Sequence, residues 1–455
     1  MNSAGPNADV TGKSIVLGVS GGIAAYKACE LLRRLRALGH QVTVVPTAAA
    51  LTFVGAATFE ALSGNPVSGD VFTDVPDVRH VSVGQRADLV IVAPATADLL
   101  ARAAAGLADD LLTATLLVTR APVLMAPTMH TEMWTHPATV ANVRTLRSRG
   151  VTVLPPAVGR LTGADSGPGR LAEPEHLAQL AQLMLHTAGA DRPALPFDLQ
   201  GRRIVVSAGG TREALDPVRF LGNRSSGRQG YAVALVAAAR GADVTLIAAN
   251  TALADPPAVD VRRVVSAADL QRAVTDAAEQ ADAVVMTSAV ADFRPAHVAA
   301  HKIKKTADSG PVVVELVQNP DVLARLVACR GESRMPVIVG FAAETGDATT
   351  SPIEFGRQKL LRKGCDLLVV NEVGPASAFE SDDNAAVILI RRADGTEPAA
   401  TDVPYGPKTA LAAAVCDSIV TALDAALAVG TGSRTDNLST PKSHLSAANP
   451  QGAPT

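Results

Sequence analysis

Short apolar runs rich in β-branched residues, each ending in a small-residue turn, recur in the same order in both halves of the chain. Ser14–Val19 (SIVLGV) leads into Ser20-Gly21-Gly22 and a helix-like segment through Leu38. Arg203–Ser207 (RIVVS) leads into Ala208-Gly209-Gly210. "GHQVTVVPT" at 39–47 is matched by "GADVTLIAA" at 241–249, and "ADLVIVAPAT" at 87–96 by "ADAVVMTSAV" at 281–290. Apolar strand, tight turn, then helix is the opening of a doubly wound α/β unit, whose ligands gather where strands end. Occurring twice, it predicts two such Rossmann-like domains. Aromatics make up only 3% of a chain that is 47% hydrophobic, so the cores must be built from Ala, Val and Leu. That composition suits buried parallel strands under closely packed helices.

The Pro-rich segment "TAGADRPALPFDLQ" at 187–200 separates the two patterns. The expected division is a flexible 1–13, a first domain over 14–190, a linker over 191–200, a second domain over 201–428 and a disordered tail over 429–455, which lacks apolar periodicity. A net charge of −3 argues against a nucleic-acid partner held by bulk charge. Cys29, Cys329, Cys365 and Cys416 are isolated and form no CxxC, so neither a zinc site nor a disulfide framework is indicated. The start lacks the basic and apolar regions of a signal peptide. No run of 18 uninterrupted apolar residues occurs, so no membrane span is expected and the expected location is cytoplasmic.

In the first domain, Ser20, Gly21 and Gly22 let backbone N–H groups approach a phosphate at a helix start near Ile23. The turn is not GxGxxG and no acidic residue ends the next strand, so a mononucleotide fits better than a dinucleotide. Three further segments join it: "RHVSVGQRADLVIVAPATADLL" around His80, "APTMHTEMWTHPA" at 126–138 and "GADSGPGRLAEP" at 163–174. With GGIAAYK at 21–27, these resemble the homo-oligomeric flavin-containing cysteine decarboxylases, nearest to those acting on phosphopantothenoylcysteine. The resemblance implies FMN, with Ser20, Gly21 and Gly22 at its phosphate and Thr47, Pro94, Ala95, Thr96 and Met125 lining it. It implies His80 as catalytic base, 126–134 as the acyl-cysteine segment and 160–170 as a mobile flap. The family chemistry oxidises the thiol, loses CO2 and reduces the product, a redox task for a flavin rather than a side chain. Two positions depart from the family. His130 stands where Asn is usual, and the flap cysteine is absent, with Gly163 aligned there. The late proton has two readings: Asp165, ionisable within the flap, supplies it, or Asp165 only shapes the Gly-rich turn and water or His130 is the donor. Trp134 and Met133 read as packing residues and His136 as structural.

In the second domain, "SAGGTREALDPVRFLGNRSSGRQGYAVA" at 207–234 offers a Gly-rich turn and a donor-rich loop before a helix. "SAVADFRPAHVAAHKIKK" at 288–305 places Lys302, Lys304 and Lys305 after a strand end. "NPDVLARL" at 319–326 predicts a helix with Asn319 as N-cap and Pro320 at its first position. "VIVGFAAET" at 337–345 reads as a buried strand with a polar end, and "RQKLLRKGCDLLVVNEV" at 357–373 as a basic helix followed by a strand. These segments resemble phosphopantothenate–cysteine ligases of the bacterial, CTP-using kind. The resemblance implies Asn223 at an acyl-cytidylate intermediate and Lys302 as counter-charge at the α-phosphate. It implies Ser288, Ala289, Asp292, Asn319, Pro320, Asp321, Val322, Phe341, Lys359 and Lys363 around CTP, with Mg²⁺ on the triphosphate. No protein ligand for a metal is identified.

Together the halves resemble the fused bifunctional enzymes of coenzyme A biosynthesis. The implied substrates are 4'-phosphopantothenate, cysteine and CTP, and the implied assembly has trimeric decarboxylase and dimeric ligase contacts, a dodecamer if both close. A pair of NAD-dependent short-chain dehydrogenase-like domains would require GxGxxG and Tyr-x-x-x-Lys, which are absent from Tyr26, Tyr231 and Tyr405. A flavin-fold regulatory protein that acts by binding a partner is the other alternative; His80 and the complete ligase half weigh against it.

Overall fold

In a computed structural model, the structure describes residues 12–67, 79–161, 165–187, 195–304, 313–344, 350–372, 383–392 and 395–432, with the backbone alone for 79, 80 and 429–432. Each half forms a sheet wrapped by helices, as the repeated opening requires.

The first half runs β1 (Ser14–Val19), a 3₁₀ turn (Ile23–Tyr26), α1 (Lys27–Ala37), β2 (Gln41–Pro46), α2 (Ala48–Leu51), α3 (Ala56–Ser63) and α4 (Arg79–Arg86). It continues through β3 (Leu89–Ala95), α5 (Ala97–Ala105), α6 (Leu111–Val118), β4 (Val123–Pro127), α7 (Thr131–Thr135), α8 (Pro137–Ser148) and β5 (Thr152–Val153). A hairpin, β6 (Ala157–Arg160) and β7 (Ser166–Arg170), precedes α9 (Pro174–Thr187). The five-stranded sheet is parallel in the order β2-β1-β3-β4-β5. Alternation along β1 sends Ile15, Leu17 and Val19 to one face and Val16 to the other, and both faces are buried. The predicted helix at Ile23 begins as a 3₁₀ turn and becomes α-helical only from Lys27.

The second half opens with β8 (Arg203–Gly209), a hairpin of β9 (Arg212–Ala214) and β10 (Phe220–Gly222), α10 (Arg228–Ala239), β11 (Asp243–Ala249), β12 (Val259–Val264) and α11 (Ala267–Ala278). Then come β13 (Ala283–Met286), β14 (Phe293–Pro295), β15 (Leu316–Gln318), α12 (Val322–Arg330), β16 (Val337–Glu344) and α13 (Pro352–Lys363). β17 (Leu367–Glu372), β18 (Asp383–Ile390), β19 (Ala399–Pro407) and α14 (Lys408–Gly432) complete it. The eight-stranded sheet has the order β12-β11-β8-β13-β16-β17-β18-β19, parallel except where β18 and β19 turn back.

The two halves share a core. One apolar cluster runs from α1 and α9 through Leu195 and Leu199 to α10 and α14. The described part of the Pro-rich connection, 195–200, is thus packed, and its Asp198 pairs at 2.7 Å with the buried Arg240, which also meets Asp417 at 2.7 Å. α14 is, over Lys408–Ala428, long and apolar enough to cross a membrane by length and composition. Its Leu411, Val415, Cys416, Ile419 and Leu423 are buried in the shared core. That burial accounts for the apolar face turned to the core; 33% of the apolar stretch is buried. The helix extends beyond the expected boundary at 429, as far as Gly432, and residues 433–455 of the expected tail lie outside the described residues.

Candidate active sites of the two halves

In the first half, functional side chains collect where β1, β2, β3 and β4 end. Ser20 is 2% exposed. Its Oγ donates to the Pro94 carbonyl at 2.8 Å and accepts from the Thr96 N–H at 3.0 Å, tying β1 to β3. Thr47 caps α2, accepting from the Ala50 N–H at 3.2 Å, and Thr96 caps α5, accepting from Leu99 at 3.4 Å. A Cβ on Gly21 would stand 2.4 Å from Ala49 Cβ, whereas one on Gly22 would meet nothing closer than Thr96 Cγ2 at 3.7 Å. The Ser20–Ile23 turn therefore has helix starts gathered around it and open space over Gly22, the donor chemistry and room a phosphate requires. Ile23 and Phe53 are exposed beside it. Pro94, Ala95 and Met125 are buried, and Met125 packs within the core on its face of the sheet.

The acyl-cysteine segment and the flap meet. Gly169 O accepts from the Met129 N–H at 3.0 Å and from Thr128 Oγ1 at 3.0 Å, while Thr131 Oγ1 donates to the Pro168 carbonyl at 2.9 Å. A Cβ on Gly169 would lie 2.1 Å from the Met129 carbonyl oxygen, so glycine is what permits this approach. The expected flap is thus a hairpin anchored at its base. His130 at the N-cap of α7 and Asp165 at the hairpin tip are both exposed. Trp134 packs against the core as expected, and Met133 is exposed. His80 is the second residue of α4, its side chain outside the described residues, as are Gly163 and Lys305.

In the second half, Gly209 takes φ +86° at the end of β8, where a Cβ would lie 2.0 Å from the Ala249 carbonyl oxygen. Backbone bonds Ala289 N–H to Gly209 O (2.8 Å) and Thr211 N–H to Ala289 O (3.2 Å) join this turn to the segment after β13. Asn223 donates to the Val290 carbonyl at 3.1 Å, folding the 223–227 loop over the same edge. Ser288 Oγ is buried there without a protein partner, an orphan that a ligand can satisfy.

The helix predicted from Asn319 starts two residues later. Asn319 Nδ2 donates to the Ala291 carbonyl (2.9 Å) and its Oδ1 accepts from Arg294 (3.0 Å), so its side chain cannot cap. Asp321 caps α12 instead, accepting from the Ala324 N–H at 3.0 Å. Pro320 consequently lies before the helix and Val322 opens it. Asp321 also pairs with Lys363, and Lys359 pairs with Glu344 at 3.0 Å. Burial raises the Asp321 carboxyl, but Lys363 and the capped N–H hold it below the ordinary carboxylate range. Phe341 is half-buried on β16, and Asp292 and Lys302 are exposed.

The sequence reading missed the group that holds the lysine loop. Asp216, its side chain fully buried, accepts from the Val218 and Arg219 N–H groups (2.8 Å each) and from the Ile303 N–H (3.2 Å). Arg219 lies 3.5 Å from the same carboxylate and donates to the Ile303 carbonyl. Burial pushes the Asp216 carboxyl up, yet these donors and Arg219 more than offset it, so its pKa lies below the ordinary value. The Asp-Pro pair opening "DPVR" is a turn signal that could have pointed here. Among the described residues no cluster of three or more His, Cys, Asp or Glu could hold a metal.

Comparison with known proteins follows this division. A Flavoprotein domain matches residues 4–186, and a DNA/pantothenate metabolism flavoprotein C-terminal domain matches 199–423. The coenzyme A biosynthesis bifunctional protein CoaBC of Mycolicibacterium smegmatis is 62% identical over 411 residues, covering 90% of this chain and 97% of that protein. Its Vibrio parahaemolyticus counterpart is 42% identical over 383 residues, covering 84% and 92%. Among solved structures, the C-terminal domain of a coenzyme A biosynthesis bifunctional protein aligns at 34% identity and TM-score 0.40, over 50% of this chain and 98% of that one. A PPC decarboxylase mutant complexed with pantothenoylaminoethenethiol aligns at 28% identity and TM-score 0.36, over 38% and 99%.

Proposed function

The chain belongs to the family of coenzyme A biosynthesis bifunctional proteins, with a decarboxylase half and a ligase half, and from that premise we propose how its own residues divide the work. The domain boundary is placed at 191–200. The ligase half activates 4'-phosphopantothenate with CTP: the carboxylate attacks the α-phosphate, pyrophosphate leaves, and the acyl-cytidylate is opened by the amine of cysteine with release of CMP. The orphaned Ser288 Oγ beside Ala289 carries this reading, because it gives the edge above β8 and β13 an unfilled polar site. Asn223 orients the acyl group. Lys302 supplies the counter-charge at the α-phosphate, and a fixed cation is worth most where water is excluded. Asp292, Phe341 and the residues opening α12 hold the nucleotide. Lys359 and Lys363 serve it by exchanging their carboxylate partners for phosphate oxygens. Mg²⁺ enters bound to the triphosphate.

The decarboxylase half holds FMN, whose phosphate lies at Ser20–Gly22 with Thr47, Pro94, Ala95, Thr96 and Met125 about the rest of the group. When bound, the flavin supplies the redox capacity that the thiol chemistry needs. His80 serves as base, the 126–134 segment positions the acyl-cysteine, and Asp165 returns a proton to carbon. Asp165 is exposed in this structure, so its role requires it to be covered by the bound substrate. Asp165→Asn should release CO2 normally yet delay the final thiol product in a single turnover. Product formation at the unaltered rate would remove Asp165, and the same measurement on His130→Asn would then decide for His130. The chain is proposed to work in the cytoplasm as a homo-oligomer, without a nucleic-acid or membrane partner.

Lys302→Gln tests the ligase reading. Release of CMP and pyrophosphate from CTP should fall by about 10²-fold or more. Unchanged turnover would take Lys302 out of the mechanism, and a preferred conversion of ATP to ADP would overturn the cytidylate route.

A further inference from the structure

Residues 287–292, between β13 and β14, belong to no helix or strand, apart from a single parallel bridge of Ala289 to Gly210. The segment nevertheless carries Ser288 and Asp292, so its placement has to come from individual bonds to its backbone. Ala289 is held in the middle: its N–H donates to the Gly209 carbonyl at 2.8 Å, and its carbonyl accepts from the Thr211 N–H at 3.2 Å. Asn223 donates to the Val290 carbonyl at 3.1 Å. Asn319 donates to the Ala291 carbonyl through its side chain at 2.9 Å and to the Asp292 carbonyl through its N–H at 2.8 Å.

Two further N–H groups are taken by hydroxyls instead of carbonyls. Ser288 N–H donates to Ser207 Oγ at 3.2 Å, and Ala291 N–H donates to Thr211 Oγ1 at 3.0 Å. Ser207 and Thr211 are each 0% exposed, and Ala291 is 2% exposed. A hydroxyl buried this deeply costs desolvation unless it is hydrogen-bonded. Ser207 stands in β8 beside the buried Val205, Val206 and Ala208, a setting in which an apolar side chain would pack without that cost. What the two hydroxyls gain is the segment itself. One fixes its start at Ser288, and the other fixes its end at Ala291, next to Asp292. The ends so fixed carry the unpartnered Ser288 Oγ and the exposed Asp292.

We propose that Ser207 and Thr211 are positioning residues of the ligase half, whose hydroxyls set where Ser288 and Asp292 stand when the nucleotide binds. They act through the backbone of 288–291 and touch no substrate. The inference rests on the proposed function in one respect, that 288–292 is a nucleotide-binding segment.

The test follows CMP release against CTP concentration in the flavin-loaded full chain. Thr211→Val exchanges the hydroxyl for a methyl of similar shape and leaves the buried Ala291 N–H without its acceptor. A displaced segment weakens binding in the ground state and the transition state alike. The KM for CTP should therefore rise about tenfold while kcat stays within about twofold of the wild type. Thr211→Ser keeps the acceptor and should return the KM to within about twofold of the wild-type value. Ser207→Ala should raise the KM in the same way, and it serves where valine at 211 impairs folding. A purely structural hydroxyl would lower the amount of active enzyme, and so the apparent kcat, and leave the KM unmoved. A fall in kcat at unaltered KM, a serine variant as impaired as the valine one, or a wild-type KM in Ser207→Ala would overturn the proposal. A wild-type chain that leaves CTP intact would instead contradict the proposed function and take this inference with it.

Discussion

The two Gly-Gly turns open the halves alike in sequence and differently in space. In the first, Gly22 is extended and the chain passes directly into the 3₁₀ turn, so the helix start itself faces the open space. In the second, Gly209 is left-handed, and the chain makes a hairpin and the 223–227 loop before α10 begins. The first turn has room for one phosphate over a short path. The second folds a donor-rich loop over the strand ends and brings Asp216, Arg219 and the lysine loop to one edge. On the function proposed above, the same opening serves as a cofactor cradle in one half and as a larger, loop-built substrate site in the other.

The sharpest way to break that comparison is to substitute both glycines. Gly209→Ala forces a left-handed alanine onto the Ala249 carbonyl and should destabilise the chain by more than about 2 kcal/mol, read by thermal unfolding. Gly22→Ala should cost less than about 1 kcal/mol, since its methyl meets only ordinary contact, but it should weaken flavin retention. Equal stability losses would show that the two turns are not different after all.

The next effect in size is His80→Asn. This protein should remain yellow and continue to release CMP in the ligase assay, while evolving no CO2 from phosphopantothenoylcysteine. A colourless variant would place the residue in the fold rather than the chemistry.

Asp216→Asn sharpens the contrast on the ligase side. It keeps the shape of the turn but removes the charge that organises Arg219 and the Ile303 backbone. The kcat for CTP cleavage should fall by about tenfold with KM for CTP little changed, as for an interaction made chiefly in the transition state, and decarboxylation should be unaffected. A change in KM alone would mean that Asp216 acts on binding rather than on placing Lys302.

The smallest effect concerns the shared core. Burial lowers the pKa of His40, opposed by Asp88, and of His176, opposed by Glu175 and its neighbours. The folded chain therefore binds fewer protons than the unfolded one just below the ordinary histidine value of about 6.5. Stability from both groups is fully present above that pH and is lost as the pH falls toward their lowered folded values. Unfolding temperature should decline between about pH 7 and 5.5, and His176→Phe should flatten the decline. An unchanged slope in that variant would remove His176 as a contributor.

The fold was legible because the strand periodicity and the turns are local. SIVLGV became β1 with the same limits, and the strand of "VIVGFAAET" became β16, Val337–Glu344. The turn at Ser20–Gly22 after β1 was legible for the same reason. What was not legible depends on pairings distant in sequence. Asn319 looks like a cap until Ala291 and Arg294 take its side chain. Asp216 looks like a turn former until Ile303 is brought beside it. The packing of residues 195–200 between the halves was not legible either, because a Pro-rich segment carries no sign of what it will rest against.

One chain makes an amide in its ligase half and decarboxylates the product in the other. The direct measurement supplies CTP, 4'-phosphopantothenate and cysteine labelled in its carboxyl group to the flavin-loaded full chain. CMP, pyrophosphate and labelled CO2 are then followed together. The account predicts CMP and pyrophosphate in equal amounts, CO2 following them one for one, and in His80→Asn the same CMP with the label retained in the amide product. CO2 released without CTP cleavage, or CMP formed with no CO2 from the wild-type chain, would contradict it.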